Sequence, residues 1–230
     1  MSACGSGPHP PAPPAATPPP SPSPAAVPPA PLRVMLLGDS ITGSPGCWRA
    51  MLWRRLPAER VDFVGSRATH ACGTDYDDDN EGHSGFLATA IANRGLLPGW
   101  VATTRPDIVL MHLGTNDVWH NQPLPAILDA FTMLITQLRA ANPAIRVVAA
   151  QILPMKPANC EQCGQRVADL NAALPGWAAI LSTPESPITL VDQWTGFDTA
   201  TNTSDGVHPN RAGDRWIADR WYPALLAALD

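Results

Sequence analysis

From Leu32 to the C-terminus, short apolar runs alternate with amphipathic stretches, and that alternation leaves few folds open. "LRVMLL" (32–37) is a near-continuous apolar run, the pattern of a strand buried on both faces of a parallel sheet. "CWRAMLWRRL" then sets Trp48, Met51, Leu52 and Leu56 on one helical face. "VDFVG" (61–65), "DIVLMHLG" (107–114), "IRVVAAQIL" (145–153) and "ITLVD" (188–192) read as four more strands. Three further helices are expected: "LPAILDAFTMLITQLRAA" (124–141), "RVADLNAALPGWAAIL" (166–181) and "AGDRWIADRWYPALLAAL" (212–229). The second should break at Pro175-Gly176. Strand and helix in turn predict a three-layer α/β/α sandwich around a mainly parallel sheet of five strands.

The chain has 230 residues, 45% of them hydrophobic, enough for one well-buried domain. A net charge of -5 and the lack of any basic block argue against a nucleic-acid partner. No apolar run reaches the roughly 18 residues of a membrane span. Residues 1–31 hold 13 of the 27 prolines and no Asp, Glu, Lys or Arg. Such a segment has little to bury and few backbone donors, so it should be an extended tether, with the fold spanning 32–230. "SACGS" around Cys4 is similar to the end of a bacterial lipoprotein cleavage box, which suggests a lipid anchor on Cys4. The bland alternative is an incidental cysteine in a disordered tail.

Setting Cys4 aside leaves Cys47, Cys72, Cys160 and Cys163. An even number behind an export-type tail favours disulfides and a secreted or cell-surface protein. Cys160 and Cys163 are close enough to close a small loop, and Cys47 would then pair with Cys72. C-x-x-C is also a zinc spacing, but no second C-x-x-C or H-x-x-x-H completes a ligand set.

In open parallel sheets the functional site lies beyond the carboxyl ends of the strands. Three polar motifs fall there. "GDS" follows the first strand, "GTND" follows the strand at 107–112, and "DGVHPN" lies between the fifth strand and the last helix. Ser40 does not sit in a G-x-S-x-G elbow, because Thr42 stands where the second glycine belongs. It needs partners to be a nucleophile. Asp205 and His208 supply them, three residues apart in one loop, where the carboxylate can orient one ring nitrogen and leave the other as a base. Taken alone, each motif has a plain structural reading. A histidine before proline is a common surface turn, and Asn116 could simply cap one.

Together the motifs resemble the SGNH (GDSL-type) hydrolases, whose four blocks carry Ser, Gly, Asn and His. Here the blocks read "GDSIT" with Ser40, "NEGHSG" with Gly85, "GTND" with Asn116 and "DGVH" with Asp205 and His208. "GCWRAMLWRRL", "DFVGS" ahead of "DNEGHSGF", and "PDIVLMHLGTNDVW" resemble more narrowly the acetyl xylan esterases of carbohydrate esterase family three. The resemblance implies a flavodoxin-like SGNH hydrolase fold. It also implies a serine esterase that removes O-acetyl groups from plant cell-wall polysaccharide through an acyl-serine intermediate. Ser40 would be the nucleophile, His208 the base and Asp205 its orienter. The N–H groups of Ser40 and Gly85 and the Asn116 amide would form the oxyanion hole, with Gly82 as the alternative glycine. Asp39 is read as structural, bonding loop amides at the turn.

Trp119 and Trp194 follow or precede these blocks and are candidates to stack on a sugar, although either could pack loop against core. Trp48, Trp53, Trp216 and Trp221 belong to helix faces. Asp75, Asp77, Asp78, Asp79 and Glu81 could form a calcium loop, but the EF-hand glycine is missing and a solvated loop is expected. His83, His112 and His120 have no metal spacing, and His112 reads as a core histidine. The resulting expectation is a monomeric enzyme without metal or cofactor, acting on acetylated polysaccharide or oligosaccharide. Competing readings are a lipase, thioesterase or lysophospholipase on the same scaffold, or a surface-tethered glycan-binding protein without activity.

Overall fold

The structure, a computed structural model, describes residues 1–5, 7 and 30–230. Most of the proline tract, and with it the tether expected there, lies outside the described residues. Cys4 is exposed and unpaired.

All five expected strands form: β1 (Leu32–Gly38), β2 (Val61–Val64), β5 (Ile108–His112), β6 (Arg146–Gln151) and β7 (Ile188–Asp192). Two more join them, β3 (Arg67–Ala68) and β4 (Asp79–Gly82), so among the described residues the sheet has seven strands: six in the order β3-β4-β1-β5-β6-β7, with β2 off that path and paired to β1. β2 and β4 are both parallel to β1 and share it: Leu32–Met35 pair with Val61–Val64, and Leu37 and Gly38 pair with Glu81 and Gly82. Among the described strands only β3 runs antiparallel, against β4. The sheet is therefore mixed, and the five-strand expectation was short by a polar hairpin.

Helices cover both faces. Alternate residues of each central strand point to opposite sides, as the pleat requires. Met35, Leu37, Val109, Met111, Val147 and Ala149 pack under α3 (Ala88–Asn93), α4 (Leu97–Thr104), α6 (Leu124–Ala141) and α7 (Cys163–Leu181). Val34, Leu36, Ile108, Leu110, Val148 and Ala150 pack under α2 (Trp48–Trp53) and α9 (Arg211–Ala228). Short helices α1 (Ser40–Gly43), α5 (Thr115–Trp119) and α8 (Thr199–Asn202) sit at strand ends. By length and composition α6 passes for a membrane span, although Asp129, Gln137 and Arg139 interrupt its apolar residues. Here its apolar stripe of Ile127, Phe131, Leu134 and Leu138 is buried in the core.

The expected break at Pro175 does not occur, and α7 runs through it. Proline removes one helical hydrogen bond, the one that would end on the carbonyl four residues back. That carbonyl belongs to Asn171, and Gln151 Nε2 donates to it instead at 2.9 Å. The acidic run is not a solvated loop either. Asn80 and Glu81 are fully buried because β4 pairs with β1 on one side and β3 on the other. Among the described residues no group of three or more His, Cys, Asp or Glu is placed to hold a metal ion.

Candidate active site

Chain order switches sides between β1 and β5: β2 and β4 lie on one edge of β1, and β5 on the other. Such a switch point opens a crevice at the carboxyl ends of the strands. Ser40 leaves β1 there, and Asn116 leaves β5.

Ser40 is the first residue of α1, a single turn that Pro45 and Gly46 do not allow to continue. Asp39 caps that turn, with Oδ1 accepting from the Ile41 N–H at 3.0 Å. Fully buried, the Asp39 carboxyl is pushed up to about 6 by desolvation, against the pull of that N–H. Behind the turn, Gly43 lies against Gly82. A Cβ on Gly82 would stand 2.4 Å from the Gly43 Cα, so both blocks need glycine where they touch.

The Ser40 Oγ is 2.9 Å from His208 Nε2, and His208 Nδ1 is 2.7 Å from Asp205 Oδ2. Asp205 Oδ1 also accepts from the backbone N–H groups of Val207 (3.0 Å) and His208 (2.7 Å). Burial pushes the Asp205 carboxyl up. The His208 N–H, the imidazole and the Val207 N–H outweigh it and hold the group below the usual carboxylate range. The loop is braced from behind by the segment after β6. Lys156 donates its N–H to the Gly206 carbonyl at 2.7 Å, and Gly206 has φ +85° with its Cα side against the Lys156 carbonyl.

Asn116 is nine-tenths buried. Its Nδ2 donates to the Phe86 carbonyl at 3.1 Å, and its other contact, to Asp39 Oδ2, is a long 3.4 Å. Of the two candidate glycines, Gly82 has its N–H taken by Asn80 Oδ1 at 3.0 Å. Gly85 is the third residue of a turn closed by Phe86 N–H on the His83 carbonyl, with φ +78°. That places the Gly85 N–H outside the turn's own hydrogen bond.

The tryptophans divide. Trp119 is half-buried against the core at the end of α5. Trp194 is exposed after β7, with its backbone N–H on Asp192 Oδ1 and its carbonyl accepting from the Phe197 N–H. Cys47 is bonded to Cys72, and Cys160 to Cys163. His112 is buried, its ring pushed down to about 4 by desolvation, which keeps it neutral.

Three supporting residues escaped the sequence reading. Asp117, beside Asn116, accepts from Ala88 N–H, Thr89 N–H and the Thr89 hydroxyl, tying α5 to the start of α3. Arg49 is fully buried and donates to the carbonyls of Thr42 and Asp78, both at 2.8 Å. Glu81 is paired with His83 at 2.6 Å. The only hint of Arg49 was a charge inside an apolar helical stretch, and the hint of Asp117 was the last letter of "GTND".

A hydroxyl bonded to an imidazole bonded to a carboxylate, at the carboxyl edge of a parallel sheet, is the arrangement by which hydrolases of the serine type activate an alcohol. Comparison with known proteins narrows the class. The GDSL-like Lipase/Acylhydrolase family matches residues 36–216, and the chain belongs to that family. It is a carboxylic ester hydrolase. Its fold is similar to that of an acetyl esterase mutant crystallised with an acetate ion: TM-score 0.79, 37% identity, covering 86% of this chain and 98% of the other. It is equally similar to a carbohydrate esterase family 3 protein from Talaromyces cellulolyticus: TM-score 0.79, 38% identity, with the same coverage. A multidomain esterase of Ruminococcus flavefaciens is 27% identical over 225 residues. The match covers 86% of this chain but 29% of that protein, so the chain spans under a third of that relative.

Proposed function

We propose that this esterase removes O-acetyl groups from plant cell-wall polysaccharide, acetylated xylan in the first instance, through an acyl-serine intermediate. The observation that carries the reading is the line from Ser40 Oγ through His208 to Asp205, with both hydrogen bonds under 3.0 Å. The acetyl group is supported by likeness to the acetyl esterase and to the family 3 carbohydrate esterase.

In this mechanism Ser40 Oγ attacks the acetyl carbonyl carbon while His208 Nε2 takes the hydroxyl proton. The carbonyl oxygen becomes an oxyanion, received by the N–H groups of Ser40 and Gly85 and by Asn116 Nδ2. Asp205 holds the ring in the tautomer that leaves Nε2 free and then stabilises the imidazolium. The tetrahedral intermediate collapses, the sugar oxygen leaves, and His208 returns the proton to it. Water, deprotonated by His208, attacks the acetyl-serine by the same route and releases acetate. The two closed cysteine pairs fit an enzyme that works outside the cytoplasm.

The test is acetate release from acetylated xylan, beside hydrolysis of p-nitrophenyl acetate, butyrate and octanoate, for wild type and Ser40→Ala. Acetate from xylan, a steep fall beyond butyrate, and loss of all activity in the variant are expected. Strong octanoate cleavage with no acetate from xylan would move the substrate to lipid or thioester acyl groups. Full turnover by Ser40→Ala would remove the acyl-serine mechanism.

A further inference from the structure

A second carboxylate–imidazole pair lies at the end of β4, the strand that pairs with the last residues of β1. Glu81 is fully buried in β4 and accepts from Ser66 N–H at 2.8 Å and from the Ser66 hydroxyl at 2.6 Å. Its Oε1 is also 2.6 Å from His83 Nε2. The His83 ring is packed between two aromatic rings, with centroids 4.3 Å from Trp100 at 10° and 4.9 Å from Phe86 at 25°. Three directions are thus fixed for one side chain: a buried acceptor at its tip and a ring against each of two aromatic neighbours.

The backbone of His83 is placed with equal care. Its N–H donates to the Gly38 carbonyl at 2.9 Å, two residues before Ser40. Its carbonyl accepts from Phe86 N–H and closes the turn that holds Gly85 at φ +78°. Phe86, the last residue of that turn, accepts at its carbonyl from Asn116 Nδ2. One turn, then, carries the Gly85 N–H and anchors the Asn116 amide.

We propose that His83, held by Glu81, is a positioning residue for the oxyanion hole, fixing the Gly85 N–H and the Asn116 amide through one turn. The proposal rests on the role given above to Ser40, Gly85 and Asn116. The physical reason is that an oxyanion donor acts only if it is already at hydrogen-bond distance from where charge develops, and small misplacement is expensive in rate. Without the Glu81 contact the His83–Phe86 turn keeps its backbone hydrogen bonds, but the tip of the His83 ring is no longer held.

The experiment compares wild type, His83→Phe, His83→Gln, Asn116→Ala and the His83→Phe/Asn116→Ala double variant. Each is measured by kcat and KM on p-nitrophenyl acetate and by inhibition with methylboronic acid, which forms a tetrahedral adduct on a reactive serine. His83→Phe keeps the stacking and loses the bond to Glu81. It should lower kcat about 10- to 100-fold with KM nearly unchanged, and weaken methylboronic acid by a similar factor. His83→Gln reaches Glu81 with its amide and should recover most of kcat. In the Asn116→Ala background the His83→Phe effect should shrink to a few-fold, because both act on one hole. If His83→Phe does not fold, Glu81→Gln decides by the same readouts, since with its oxygen on the Ser66 N–H its amide nitrogen faces His83 Nε2 in place of the anionic acceptor and weakens the clamp. Wild-type kcat and inhibition in the variant that folds, beside a large loss in Asn116→Ala, would overturn the role of His83 and leave the oxyanion hole standing. Full activity in Asn116→Ala and Ser40→Ala would overturn the underlying reading itself.

Discussion

The two ends of the Ser40–His208 hydrogen bond are built in opposite ways. On the hydroxyl side Asp39, Arg49, Asn80, Glu81 and Asp117 are all fully buried. They tie together residues far apart in the chain: Arg49 to Asp78, Asp117 to Ala88 and Thr89, Asn116 to Phe86. On the imidazole side the Asp205 and His208 side chains are 52% and 38% exposed, and the contacts that orient them span three residues or fewer. The hydroxyl is thus held by the fold, and the imidazole largely by its own turn. Damage to Arg49 in the first should therefore appear mainly as lost stability, and damage to the Asp205–His208 turn mainly as lost rate.

Asp205→Asn gives the sharpest break. The expected outcome is a fall in kcat of about 10,000-fold, with a melting temperature close to wild type, because an exposed turn loses orientation and little packing. Kinetics and thermal unfolding of one sample decide it. A large loss of stability would mean that the turn is part of the fold's cooperative unit.

Arg49→Met should do the reverse. It leaves the Thr42 and Asp78 carbonyls without their donor and should lower unfolding free energy by about 3 kcal/mol in urea titration. Any loss of rate should be far smaller than for Asp205→Asn.

The buried carboxyls add a pH dependence. Asp39 and Asp214 are both pushed up to about 6 by desolvation, from an unfolded value of 3.8. A raised value means the folded state holds the proton more tightly. Each group's contribution is therefore complete below 3.8 and is lost as pH rises through about 6. For one group the change is on the order of 2 to 3 kcal/mol. Asp214→Asn keeps an acceptor for the Trp48 N–H and should flatten stability between pH 4 and 6, with the Asp39 part remaining. His112, pushed down to about 4, acts with the opposite sign, and its contribution is lost as pH falls through that value. Melting temperatures at half-unit steps from pH 3.5 to 7 would separate the two.

The smallest effect is expected at Arg54 and Asp75, a two-bond pair that is 40% and 66% exposed. Arg54→Ala should leave the melting temperature nearly unchanged, since solvent and salt screen exposed pairs. Salt-dependent melting would check this.

The imidazole side was open to reading in the sequence because its partners are neighbours: "DGVH" sets carboxylate and ring in one turn. Ser40 and Asn116 were found by their blocks, not by any local geometry. Arg49 and Glu81 could not be found that way. A buried charge declares itself only through its partners, and each of these has one far along the chain: Asp78 lies 29 residues from Arg49, and Ser66 lies 15 from Glu81. The acidic run misled for the same reason. Composition predicts a solvated loop, whereas pairing with β1 carried Asn80 and Glu81 inside.

The sequence alone determined the layered α/β plan, the five central strands, the long helix at 124–141 and the turn that pairs Asp205 with His208. Each depends on periodicity or on contacts within a few residues, and these are written along the chain. Tertiary structure decided that α7 continues through Pro175, because Gln151 lies across from the carbonyl that proline frees. It decided that β4 shares an edge of β1 with β2, and that His83 stands between Trp100 and Phe86. Those are outcomes of packing between distant segments, where the energy of a contact depends on what the rest of the fold brings beside it.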